Sequence, residues 1–367
     1  MAFFSFGKIG GKSTLGIDIG TAAIKLVELS REGGRFKLEN YALYSLGSVD
    51  EALAQSGPLT NAQTNAIVDQ AVAAGIQQVL GLGKFTSRDA VLSIGSSSTF
   101  STVITMPYLS EQDIAKTIPF EARKYVPIPL DQVVLDWSII NVAPPREQIV
   151  PGAAAKPPSV EVYIVAVPKT ETERYKNIMA QSGLNLRALE LENSALIRAL
   201  VGNDLSPLAI VNIGGRSSTI LIVENGVERV SHNYEVGGFE ITQAIAKSLN
   251  VGLRRAEELK RNLGQQSDQT GMITQAMASL VDLIVFETLK TIHTYEEVRR
   301  SKIGRIMLVG GLTNMLAFVT YFSGKLGLPV QLGNPLARII YPPSLEPLKG
   351  ELNSTFAIAL GLAMRQL

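Results

Sequence analysis

The chain has 367 residues, 46% of them apolar and 18% charged, with a formal net charge of +1. That length accommodates two domains with a large core, and the balanced charge argues against a general nucleic-acid binder. Cysteine is absent and the histidines are His232 and His293 alone, which excludes disulfides and thiolate metal sites and fits a reducing compartment.

The opening Met1–Lys8 carries Phe3, Phe4 and Phe6 but has no extended apolar region or cleavage pattern. It reads as a tail, with at most a weak contact to a membrane or partner, and not as a secretory signal. Apolar runs at Val160–Val167 and Leu280–Phe286 are too short to span a bilayer. Alternation predicts strands at Leu15–Ile19, Ile24–Leu29 and Phe36–Ser45, then a helix over Thr60–Ala74 capped by Thr60. Ala90–Ile94 and Ser101–Met106 follow as strands around the loop Gly95–Ser98. Ser110 and Asp113 cap a helix through Ile114, Ile118 and Ala122, with Pro119 expected to kink it or move its boundary. Strands at Val133–Val142 and Val160–Val167 flank a Pro/Ala-rich stretch expected as a mobile hairpin loop. Helices are expected over Glu171–Ser182 and Ala188–Leu200.

After Asn203–Pro207 the opening device recurs: strand Leu208–Ile213, a small-residue turn, and strand Thr219–Glu224. Asn225-Gly226 predicts a hairpin into Val227–Asn233. Helices at Gly238–Leu249, Leu253–Leu263 and Met272–Arg300 come next, then a buried strand Ile306–Val309 ending in Gly310-Gly311. A helix at Ala317–Leu326, a strand at Val330–Leu332 and an apolar helix over Ser354–Arg365 close the pattern. The fold class expected is α/β, with duplicated domains and a cleft between them.

Four elements point to one chemistry. Gly20, Thr21 and Ala22 make a hairpin turn after Asp18, and Lys25 is placed to neutralise phosphate charge. Gly214, Gly215, Arg216 and Ser217 make the second turn. Glu257 and Lys260 lie one helical turn apart and suit a ribose hydroxyl and the edge of adenine. Gly310 and Gly311 let backbone approach a base or α-phosphate. Asp18 is the candidate magnesium residue, acting through water because magnesium keeps its hydration shell.

The order of these elements resembles the actin-like ATPases, whose domains are ribonuclease H-like. Within them the closest resemblance is to the type IV pilus assembly PilM family, relatives of the divisome protein FtsA. It rests on Leu15–Leu29, Ala122–Leu130, Gly237-Gly238 with Ile241-Thr242, Ala256–Lys260, Ile306–Gly311 and Phe356–Arg365. No terminal membrane-binding helix of the FtsA kind is expected before Leu367. The resemblance implies an FtsA-like plan. Subdomain IA would take 1–88, 188–203 and 351–367; an inserted IC 89–187; IIA 204–250 and 304–350; IIB 251–303. It implies ATP or ADP with Mg²⁺, with Gly238 and Asn314 joining the nucleotide site.

It also implies a cytoplasmic protein peripheral to the inner membrane, held there through partners. The expected partner is the cytoplasmic N-terminal peptide of PilN, linking its alignment complex directly or indirectly to pilus motor ATPases. The resemblance also allows self-association. The residues expected to receive the peptide are Glu121, Arg123, Tyr125, Val126, Pro127 and Ile128, with β-strand addition as one mode. One departure matters. Asn212 stands where the family pattern places Asp, so it keeps hydrogen bonds and cannot act as a base. Asn212 and Glu192 are the candidates for positioning water, and slow or absent turnover is expected. Alternatives are a superfamily small-molecule kinase or an FtsA-like filament-forming cell-division protein.

Overall fold

The computed structural model describes residues 4–8, 10–47, 60–143, 158–264 and 271–365. It opens with an antiparallel meander: β1 (Ser13–Ile19), β2 (Ala23–Glu32) and β3 (Arg35–Ser45). Helix α1 (Asn61–Leu82) starts on the expected Thr60 cap, closed by Gln63 in a capping box. It runs past Ala74 because Ile76, Val79 and Leu80 continue its buried face. β4 (Asp89–Ile94) then pairs in parallel with β1.

An inserted unit follows. β5 (Phe100–Pro107), α2 (Glu111–Ala122), β6 (Val133–Ala143) and β7 (Ser159–Pro168) build a three-stranded antiparallel sheet in the order β5-β7-β6. Helix α2 buries Ile114, Ile118 and Ala122 against that sheet and keeps Pro119 within its span, so the proline does not end it. The Pro/Ala-rich stretch, residues 144–157, lies outside the described residues. Helix α3 (Lys169–Gln181) leads into β8 (Asn185–Leu191) and α4 (Glu192–Leu200).

The expected single helix over Ala188–Leu200 is therefore half strand. Residues 188–191 are all buried, because β8 pairs with β4 and is covered on both faces. A short apolar run buried on every side carries no period that separates strand from helix. The tail expected at the N-terminus is also corrected from Phe4 onward. Phe4 is 6% exposed in the core, Ser5 bridges to Ala188, and the Phe6 amide donates to the Arg187 carbonyl at 2.7 Å. Phe3 lies outside the described residues.

The second domain repeats the first. β9 (Leu208–Ile213), β10 (Ser218–Glu224) and β11 (Val227–Tyr234) form the meander, and Asn225-Gly226 turns with φ of 57° and 71°. Both values suit a type I′ hairpin. Helices α5 (Gly238–Leu249), α6 (Leu253–Gly264) and α7 (Met272–Arg299) precede β12 (Ile306–Val309), which pairs in parallel with β9. Helix α8 (Leu316–Leu326) and β13 (Val330–Leu332) complete a five-stranded sheet, order β11-β10-β9-β12-β13.

The chain then returns to the first domain. β14 (Ile339–Ile340) adds an edge to make six strands in the order β14-β3-β2-β1-β4-β8. Helices α9 (Lys349–Thr355) and α10 (Ala357–Ala363) follow. The single helix expected over Ser354–Arg365 is two, broken at Phe356, whose ring packs edge-on against Tyr41 at 5.6 Å. These pairings move three expected subdomain boundaries. β4 and the start of β8 sit in the first sheet, and α3 packs Tyr175, Ile178 and Met179 into the first core, so none belongs to the insert. β14, expected in the second domain, also pairs in the first.

Helix α10 is wedged between β1 and α4, and glycines make room for it. A Cβ on Gly16 would overlap the Ala359 carbonyl, and one on Gly361 would overlap the Ala195 carbonyl. Overpacking of this kind costs about 1–3 kcal/mol. Gly361→Ala is expected to lower the unfolding free energy by that amount, read as a lower urea midpoint at an unchanged slope, whereas an unchanged midpoint would show that α10 has slack.

Candidate functional site

The two meander turns meet tip to tip. A Cβ on Gly215 would stand 2.8 Å from the Ala22 Cβ and 3.0 Å from Thr21 Oγ1. Each turn is closed by its own backbone bond, Gly20 N–H to Ala23 O at 3.1 Å and Gly214 N–H to Ser217 O at 2.9 Å. The exposed amides of Thr21 and Ala22 donate to nothing among the described residues. Such outward N–H groups form an anion-binding concavity. Arg216 lies over the Phe239 ring, 4.4 Å from its centroid.

Below the first turn, the register of β1 and β2 places Lys25 opposite Asp18. Lys25 Nζ donates to Asp18 Oδ2 at 2.9 Å, and Ser93 Oγ donates to Oδ1 at 3.1 Å. Ser93 Oγ in turn accepts from the Ile19 amide at 3.3 Å. Both Asp18 and Ser93 are 2% exposed. Ser93 went unnoticed in the sequence because one serine at the end of a buried strand has no pattern of its own; the parallel pairing of β4 with β1 brings it here.

Glu192 opens α4 on the same side. Its Oε1 is 3.8 Å from where a Cβ on Gly95 would stand. Burial, and then the Asp18 charge, push its carboxyl up to about 8, with Lys25 opposing. At neutral pH Glu192 is mostly protonated. Asn212 lies in β9 opposite Thr219, with Val309 as its neighbour in β12. The carboxyl groups here are thus Asp18 and Glu192, with an amide at Asn212. Glu190, two residues before Glu192, is fully buried and pairs with Arg198 and, at 3.5 Å, Arg365.

The second domain contributes a floor. Gly238 and Phe239 amides donate to the Gly214 and Gly215 carbonyls at 3.0 and 2.8 Å, docking the start of α5 on the second turn. Lys260 Nζ reaches back from α6 to the Gly238 carbonyl at 2.9 Å, Thr242 Oγ1 at 2.7 Å and Glu257 Oε2 at 2.6 Å. Thr242 Oγ1 also lies 2.6 Å from Glu257 Oε2. Burial depresses the Lys260 ammonium against the pull of Glu257. Burial opposes ionisation of Glu257 too, but Lys260 and Thr242 outweigh it and hold that carboxyl below its usual range. Gly310 has φ 101°, and a Cβ there would overlap the Ile213 backbone. Gly311 and Asn314 form a short turn beside it, and Asn314 accepts from Ser354 Oγ at 2.9 Å. No group of three or more His, Cys, Asp or Glu suited to hold a metal occurs among the described residues.

The residues expected to receive a peptide lie together at the end of α2, but not all are available. Val126 is 8% exposed and belongs to the insert core, with Ile128 packed against it. A β-like alternation inward spends Val126 on that core. Tyr125 is 46% exposed, Arg123 and Pro127 are exposed, and Glu121 pairs with Lys124 at 2.8 Å. Phe120, 65% exposed with its ring 5.7 Å from the Arg123 guanidinium, adds to this set, while Tyr108 lies before the other end of α2.

Two meander domains with touching turns and a floor of glycines define an actin-like ATPase fold. The chain belongs to the family described as Type IV pilus assembly protein PilM, whose profile matches residues 16–367. Among solved structures it is similar to the PilM–PilN type IV pilus biogenesis complex, with a TM-score of 0.76 and 22% identity, covering 96% of this chain and 98% of that one. The ethanolamine utilization protein EutJ from Carboxydothermus hydrogenoformans matches at TM-score 0.55 and 17% identity, over 99% and 92% of the two chains. Among curated relatives, the cell division protein FtsA of Helicobacter pylori is 24% identical over 236 residues, 56% of this chain and 47% of that protein. FtsA of Neisseria meningitidis is 25% identical over 62% of this chain and 61% of its own. The match thus spans about half to three fifths of these curated relatives' length. No helix among the described residues is long and apolar enough to cross a membrane.

A carboxyl with a raised folded-state pKa destabilises the fold as pH rises through the interval between its unfolded and folded values. For Glu192 that interval runs from 4.5 to about 8. In metal-free protein, Glu192→Gln is expected to gain stability relative to the native chain between pH 5 and 8. Parallel denaturation curves across that range would instead mean that Glu192 ionises normally.

Proposed function

We propose that the chain is a nucleotide-binding scaffold of a type IV pilus assembly complex, with ATP or ADP and magnesium held between the two turns. The observation that carries this is the pair of touching turns, with the Thr21 and Ala22 amides turned outward above Asp18 and Lys25. The residues fit such a ligand. Gly214, Gly215, Arg216 and Ser217 would face the phosphates from the second domain. Gly310 leaves no side chain where backbone is crowded, while Gly238, Gly311 and Asn314 border the same floor. Glu257 and Lys260 would meet the ribose and base. Asp18, oriented by Ser93, would hold magnesium through water. The ion's contribution would be to neutralise phosphate charge.

Turnover is slow or absent in this proposal, because neither Asn212 nor protonated Glu192 can take a proton from water. The nucleotide then acts on shape, setting the two domains around α4 and the insert. The partner is a PilN N-terminal peptide, received on the exposed Arg123, Tyr125 and Pro127 beside Phe120. Likeness to the protein of the PilM–PilN complex supports this partner. The chain would join the membrane and the pilus motors through it. We divide the fold accordingly: IA around the six-stranded sheet, IC over about 95–168, and IIA and IIB around the five-stranded sheet and helices α6 and α7.

Asp18→Ala and Lys260→Ala should each weaken nucleotide by about tenfold or more in calorimetry, since each removes a charged contact. Unchanged affinity in both would remove this site. Asn212→Asp is expected to raise phosphate release, by up to about 10²-fold if a missing base limits the rate. A PilN-tail peptide should bind the native chain and lose affinity to Tyr125→Ala; no binding with nucleotide present would reject the partner.

A further inference from the structure

We propose a second anion site, at the outer edge of the six-stranded sheet, that takes a phosphate group between Arg35 and Arg338. A cavity of about 340 Å³ opens there, lined by Gly34, Arg35, Phe36, Ala337 and Arg338. The parallel pairing of Ile339 with Phe36 sets Arg338 beside Arg35. Two like charges on neighbouring strands repel. Neither arginine forms an ion pair with a carboxylate among the described residues. The carboxylates of the same hairpin, Glu32 and Glu39, are taken by Lys37 at 3.0 and 3.8 Å. Arg338 spends one donor on the Arg198 carbonyl at the end of α4, which leaves most of its five for a ligand. Arg338 is exposed, and partial desolvation with no neighbouring acid lowers its affinity for its proton.

Phosphate is the ligand chemistry because two guanidinium forks match its several oxygens and its double charge. The site is separate from the nucleotide clamp. It lies at the Gly33-Gly34 end of β2, and the Gly20 turn is at the other end, ten residues and about 30 Å away. It also touches the crossing between domains, since Arg338 Nη1 is 3.2 Å from where a Cβ on Gly202 would stand. A phosphate held here would brace that crossing. Its source is either a phospholipid headgroup or a soluble phosphate compound.

Inorganic phosphate titrated into the full chain, and flotation with phosphatidylglycerol vesicles, separate those sources. The Lys25→Ala protein serves as background: it removes the cation at the clamp's phosphates and leaves the Asp18 carboxylate unpaired there, so that the clamp does not take the probe. Binding of phosphate that weakens about tenfold in Arg35→Ala supports a soluble ligand. Flotation lost in Arg35→Ala, with phosphatidylcholine vesicles never bound, supports a headgroup. Among the described residues the Arg35 side chain has no hydrogen bond or ion pair to lose, so Arg35→Ala stays folded, whereas Arg338→Ala would also uncap α4. Binding equal in the native and Arg35→Ala proteins, or no binding in either arm, overturns the proposal.

Discussion

Everything in the cleft depends on backbone meeting backbone. The second turn comes so close to the first that Gly215 has no room for a side chain, and the start of α5 then hangs from the Gly214 and Gly215 carbonyls. Lys260 reaches the Gly238 carbonyl only because α5 is held there. The first turn, the second turn and the base-facing helix pair are thus one construction. Its tolerance is set by carbonyl and amide positions, which do not adapt as side chains do.

Charge around the cleft is distributed with similar economy. Asp18 is triply placed by Lys25, Ser93 and its strand. Burial and the Asp18 charge push the Glu192 carboxyl up, and Asn212 is an amide that cannot accept a proton as a base. One residue beyond Glu192, Asn193 Nδ2 donates to Glu228 at 3.0 Å and Ser231 at 2.9 Å, while Ser101 Oγ of the insert donates to Glu228 at 2.8 Å. Glu161 of the insert meets Arg229 and Arg299 at 2.9 Å. The insert is therefore tied to the second domain by buried polar contacts that begin beside the cleft. Such contacts are costly to leave unpaired, so the insert and the second domain favour one mutual arrangement.

Much of this was legible beforehand. The strand–turn–strand repeats, the Thr60 and Ser110 caps and the Asn225-Gly226 hairpin are local events, decided by alternation, capping oxygens and positive φ. The turn residues and the Glu257/Lys260 pair were readable for the same reason, since residues three apart on one helix share a side. β8 was misread because a strand buried on both faces has no period. Val126 was misplaced because an exposed groove and a core position demand the same apolar residue. Ser93, Thr242 and the Arg35/Arg338 pair had no local pattern at all.

The sequence by itself determined the two hairpin devices, the order of the helices and the loss of a carboxylate at Asn212, because short-range geometry and residue chemistry suffice for each. Only the tertiary structure decided that the two turns touch, that Ser93 orients Asp18, that β4, β8 and β14 belong to the first sheet and that Glu192 keeps its proton. Those depend on which distant strands pair and on how far water is excluded, and neither quantity is a property of neighbouring residues.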